Sequence, residues 1–122
     1  MLEIGRRFEL AGRAAAAGRV ELAAFEVGEL GELVDDDLPR AELPKEGPTA
    51  DLAGKADAFA RAVVPDLLGA AKGREPGAFA AAFARTAAAC NDCHQASGHG
   101  FVEVPSVPGK PVPAMDPVGA QP

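Results

Sequence analysis

The feature that most narrows what this chain can become is the run Cys90-Asn91-Asp92-Cys93-His94. The chain has only two cysteines and two histidines, and both cysteines and one histidine fall within these five positions. On a helix, residues three and four apart share a face, so two thiols and an imidazole converge on one side. Cys-x-x-Cys-His is the attachment signature of a c-type haem. Each thiol can form a thioether to one vinyl of the same porphyrin, and His94 can offer its imidazole to the iron as an axial ligand. Two other chemistries compete. A redox disulfide between Cys90 and Cys93 would suit a strand-to-helix turn in a βαβ pattern, and no such pattern is visible here. A zinc site would need Cys90, Cys93, His94 and His99 from one crowded segment, without a second knuckle.

The flanking sequence reads as helix. Alanine is abundant, Trp and Tyr are absent, and Ala-rich composition with few β-branched runs favours helix. A first helix is expected from Met1 to Ala17, with Met1, Ile4, Phe8, Ala11 and Ala15 on one face and Glu3, Arg6, Arg7, Glu9 and Arg13 on the other, ending near Gly18. A second runs from Arg19 to Asp37. Val20, Ala23, Val27, Leu30 and Val34 form its stripe, Phe25, Gly28 and Gly31 lie beside it, and Glu21, Glu26, Glu29 and Glu32 face water. Asp35-Asp36-Asp37 is a solvated end, poorly placed for the helix dipole.

Pro39, Pro44, Gly47 and Pro48 mark a loop, and Thr49 or Asp51 caps a third helix over 50–72 with Leu52, Ala56, Phe59, Val63 and Leu67 as its stripe. Pro65 should kink or split it. Pro76 suits the first position of a fourth helix over 76–96, whose stripe is Phe79, Phe83, Thr86, Cys90 and His94, with Ala87 beside it. Gly98 or Gly100 ends it.

Residues 98–122 differ in kind. Pro105, Pro108, Pro111, Pro113, Pro117 and Pro122 exclude helix and favour an extended path. Phe101-Val102-Glu103-Val104 is apolar enough to pack, so this segment is expected to fold back over the bundle or the haem edge. The expected architecture is all-α: an antiparallel four-helix bundle over 1–97 with an extended Pro-rich tail over 98–122. A core with six Phe and much Ala is thin, and one buried haem would supply apolar volume.

The net charge of -6 argues against nucleic acid as a partner and permits docking to redox partner proteins of basic surface. No stretch is long or apolar enough to span a membrane. Leu2 to Leu10 carries Glu3, Arg6, Arg7 and Glu9 and has no apolar leader core. Covalent haem attachment normally follows export, so a periplasmic location is expected, with the leader outside this stretch.

Four helices with Cys90-Asn91-Asp92-Cys93-His94 near the end of the last resemble the cytochrome c′ and cytochrome c-556 group, the class II cytochromes c. Cys90-Asn91-Asp92-Cys93-His94-Gln95-Ala96, followed by Gly98 and by Phe101 to Pro105, more closely resembles a set of small bacterial monohaem cytochromes with a Pro-rich ending. Met1-Leu2-Glu3-Ile4 and Leu22-Ala23-Ala24-Phe25-Glu26 share that likeness. The resemblance covers most of residues 1–105; the haem motif is its specific part, and the Pro-rich tail departs from the usual class II ending. It implies one covalently attached haem c held by Cys90, Cys93 and His94, and it admits a homodimer through the first two helices.

The sixth iron position decides function. The resemblance points to Met1 of the first helix as that ligand, giving a low-spin carrier of single electrons. Met115, between Pro113 and Pro117, resembles the Met loops of other cytochromes. His99 is a third candidate, although it would have to round the ring edge. An open site lidded by Ile4 or Phe8 would bind NO or CO, as in cytochrome c′. Arg6, Arg7 and Arg13 could pair with propionates, although a solvated helix face is the plainer expectation. A third function class is a zinc-stabilised helical adaptor. An enzyme is not expected, since no carboxylate pair, nucleophile or general base stands out beside the motif.

Overall fold

Good helix formers and two local ion pairs start the chain. Arg7 Nε donates to Glu3 Oε1 at 3.2 Å and Arg13 Nε donates to Glu9 Oε1 at 3.0 Å, each one helical turn apart on α1, Leu2–Ala16. The computed structural model describes residues 2–37, 52–73, 75, 77–98, 100 and 102–109. Met1, Pro39, Pro44, Gly47, Pro48, Thr49, Asp51, Pro76, His99, Phe101 and Met115, all singled out above, lie outside the described residues.

The α1 helix ends in a Schellman turn. Gly18 takes φ +76, its N–H bonds Ala15 O at 3.0 Å, and Arg19 N–H bonds Ala14 O at 2.9 Å. Helix α2, Val20–Asp37, follows at once. The third rod is composite: α3, Leu52–Ala58, passes through a π-turn, Phe59–Val63, into α4, Val64–Lys72. Helix α5, Ala78–Ala96, carries the cysteines and His94; its N-cap is Gly77 at φ +79, and Gly98 at φ +80 follows its C-terminus. Among the described residues the chain is all-helical, four rods forming a bundle with no strand.

The core joins all four rods. Ile4, Phe8 and Ala11 of α1 meet Val27, Leu30 and Val34 of α2, Phe59, Val64 and Leu67 of the third rod, and Ala82, Phe83 and Ala87 of α5. Leu30, Leu67 and Phe83 are essentially inaccessible, each contributing on the order of 1.5–3 kcal/mol by burial. The rings of Phe8 and Phe83 stack with centroids 4.0 Å apart, fixing α1 against α5.

Three sequence expectations need correction. Glu26, expected in water, is buried: it accepts from Arg7 Nη1 at 3.0 Å, an ion pair that lets the carboxylate sit at the α1–α2 seam. Val20, expected in the α2 stripe, is 54% exposed. In the third rod the stripe runs Phe59, Val64, Leu67, not Phe59, Val63, Leu67; Val63 is only half-buried. The step of five residues is the π-turn itself, closed by Val64 N–H to Phe59 O. It precedes Pro65, whose missing N–H and ring disfavour a tight α-turn, so the helix widens instead of breaking.

Candidate functional site

Cys90, Cys93 and His94 fall on the last two turns of α5. Cys90 packs against the main core, and Ile4 and Phe8 belong to that same core, so three of the expected site residues share one apolar interior. Cys93 and His94 are half-buried one turn further on. Both cysteines are free thiols. Burial pushes the Cys90 thiol up to about 11, with Cys93 adding to the effect. Burial also raises Cys93, followed by the nearby charge of Asp92. Both therefore stay protonated at neutral pH, which restrains thiolate chemistry between them.

The decisive contact is at His94. Its Nδ1 lies 2.7 Å from the carbonyl oxygen of Val102. A carbonyl oxygen only accepts, so Nδ1 carries the proton. In the neutral ring the lone pair then belongs to Nε2, the tautomer of a histidine that ligates through Nε2, with its orientation held by the bond at the other nitrogen.

The residues between the two cysteines are tied down as well. Asn91 Nδ2 donates to Val104 O at 3.0 Å, and Val104 N–H donates to Asn91 Oδ1 at 2.7 Å. Asp92 Oδ2 accepts from Lys55 Nζ of α3 at 2.6 Å. The chain after Gly98 thus returns along α5, with Val102 at His94 and Val104 at Asn91. Val104 packs on the core, and farther on Gly109 N–H donates to Glu9 Oε1 of α1 at 2.6 Å. Two residues of extended chain cover about 6.6 Å, against about 4.5 Å for three residues of helix, so the two contacts are compatible along one path.

Arg7 and Arg13, considered above for propionates, pair with Glu26 and Glu3 and with Glu9. Among the described residues no group of three His, Cys, Asp or Glu side chains forms a metal site of the all-protein kind. Met1, Met115 and His99, the candidates for the sixth position, lie outside the described residues, so the arrangement around them adds nothing to the choice. Sequence reasoning missed Asn91 and Val102. An x in a motif carries no signal of its own, and a backbone carbonyl carries none at all.

A second feature stands away from the motif. A cavity of about 690 Å³ opens at the other end of α5, lined mainly by small residues such as Gly12, Ala23 and Ala71, with the rings of Phe79 and Phe83 among them. No helix among the described residues is long and apolar enough to cross a membrane. Comparison with family models, with curated proteins and with solved structures found no match.

Proposed function

We propose that this chain is a monohaem c-type cytochrome of the exported, class II-like kind that carries single electrons. The observation that carries the reading is the His94 Nδ1–Val102 carbonyl bond within Cys90-Asn91-Asp92-Cys93-His94. It prepares Nε2 as a ligand in the one sequence context where two thiols stand ready for the same porphyrin. Haem, when bound, supplies a one-electron iron couple. The chain's own residues do the rest. Cys90 and Cys93 would hold the group covalently, each S–H adding across one vinyl so that sulfur and hydrogen end on its two carbons, with no oxidant needed. His94 would offer Nε2 to the iron. Ile4 and Phe8 supply an apolar wall, and Met1 is the proposed sixth ligand.

The finer architecture belongs to the same proposal: an antiparallel, cytochrome c′-like bundle with a Pro-rich tail on its flank. Two pairs between the third rod and α5 support it. Lys55 early in one meets Asp92 late in the other, while Asp66 farther along meets Arg85 earlier on. The α1–α2 contacts Arg7–Glu26 and Ala14–Ala23 run in the same opposed order.

The test is expression with a haem-maturation system, followed by mass measurement and visible spectra of the oxidised, reduced and CO-treated protein. A mass gain of one haem, lost in the Cys90→Ala, Cys93→Ala double variant, with a low-spin reduced spectrum indifferent to CO, is expected. An immediate shift under CO would replace electron transfer by binding of small gases at an open position. A colourless protein after maturation would sink both.

A further inference from the structure

We infer that Asn91 is a positioning residue for His94: by gripping the backbone of Val104 with both ends of its amide, it sets the Val102 carbonyl against Nδ1 and so selects the Nδ1–H tautomer. This rests on the haem reading only in what the Nε2 lone pair is then for.

Asn carries one donor group and one acceptor on the same planar head, and a non-proline residue offers one of each on its backbone. The two bonds at 3.0 and 2.7 Å match them pairwise, which fixes both the position and the rotation of residue 104 along the helix. Among the described residues Val102, two residues away, has no comparable anchor. Its side chain is 46% exposed, so packing does not hold its carbonyl in place. On its other side the chain leaves α5 through Gly98 at φ +80, a turn that permits the return without aiming it. Among the described residues the nearest fixed point for the Val102 carbonyl is therefore the Asn91–Val104 clasp. Asn91 and His94 stand three residues apart on one helix face, so the clasp and the aimed carbonyl are referred to the same rigid element.

The competing account is that burial of Val104 alone holds the segment, in which case Asn91 would be dispensable. The test uses the full chain with ¹⁵N-labelled histidine in a His99→Gln background, leaving His94 as the single reporter. In the parent the neutral ring is expected to carry its proton on Nδ1 and not on Nε2. In Asn91→Leu the Nε2–H form should grow at least severalfold, while Asn91→Asp, which keeps the acceptor for Val104 N–H, should fall between. In the haem-loaded, reduced protein, exchange of the His94 Nδ1 proton with solvent should quicken at least tenfold in Asn91→Leu, with circular dichroism unchanged. If Asn91→Leu does not fold, the near-isosteric Asn91→Asp still decides the question. An Nε2–H tautomer in the parent, or an unchanged tautomer and exchange rate in both variants, would overturn the inference. Failure to take up haem with the tautomer response intact would remove the haem reading and leave Asn91's role standing. Haem uptake with no response would do the reverse.

Discussion

Glu26 shows how a single residue departs from its periodic position. Its side chain is 8% exposed and its partner Arg7 26%, so the pair is largely withdrawn from water. Removing one partner leaves the other charge poorly solvated, which costs more than the pair itself is worth. Arg7→Met is expected to destabilise the haem-free protein by about 2 kcal/mol, and Arg7→Met with Glu26→Leu by less than Arg7→Met alone. Urea unfolding of the two variants measures this, and equal losses would show that Glu26 does not depend on Arg7. The Cys90 thiol gives a second expectation at this scale. Its folded-state pKa of about 11 lies above the ordinary value near 9, so folding favours the neutral thiol. That contribution is fully present below about pH 8.5 and is lost as pH rises toward 11. The stability difference between the haem-free parent and Cys90→Ala should therefore shrink across this window. A difference independent of pH would mean that Cys90 is not desolvated.

At the scale of elements, two local features set how the rods meet. The π-turn moves the apolar stripe forward by one residue, putting Val64 instead of Val63 in the core before α4 resumes an ordinary period. A stripe drawn at the ordinary helical period through Pro65 misses this, because that period assumes a constant turn. The second is Gly12. A Cβ there would lie 2.5 Å from Phe83 Cε2 and 2.8 Å from Pro108 Cβ. Phe83 is held on its other side by its stack on Phe8. Gly12→Ala is expected to cost about 1–3 kcal/mol as overpacking, read as a lowered thermal midpoint, whereas Gly5→Ala, with open space around it, should be neutral or slightly stabilising. Equal behaviour of the two variants would show that α1 and α5 do not approach closely at Gly12.

For the whole molecule, the returning segment 102–109 ties the motif helix to α1. It bonds Asn91 and His94 on α5 and Glu9 on α1, and it packs Val104 on the core. A chain ending at Gly100 loses the two Asn91 bonds, the His94 bond and the Val104 burial. With a net hydrogen bond worth about 1 kcal/mol, the loss should reach roughly 2–4 kcal/mol in the haem-free protein by urea unfolding. A loss below about 0.5 kcal/mol would show that the segment is not part of the folded unit.

Much of this was legible along the chain. The helices, their ends at Gly18 and Gly98 and the shared face of Cys90 and His94 follow from interactions within a few residues: the 3.6 period, the glycine's freedom at positive φ, and the i, i+3, i+4 geometry. These terms are local, so a linear pattern records them. Tertiary structure alone decided the partner of Glu26, the Asn91–Val104 clasp and the proton's place on His94. Each depends on groups brought together by packing, 19 residues apart for Arg7 and Glu26, 13 for Asn91 and Val104, and 8 for His94 and Val102. No local periodicity encodes a contact between a side chain and a distant backbone carbonyl. Its energy depends on where the chain returns, and the whole bundle determines that.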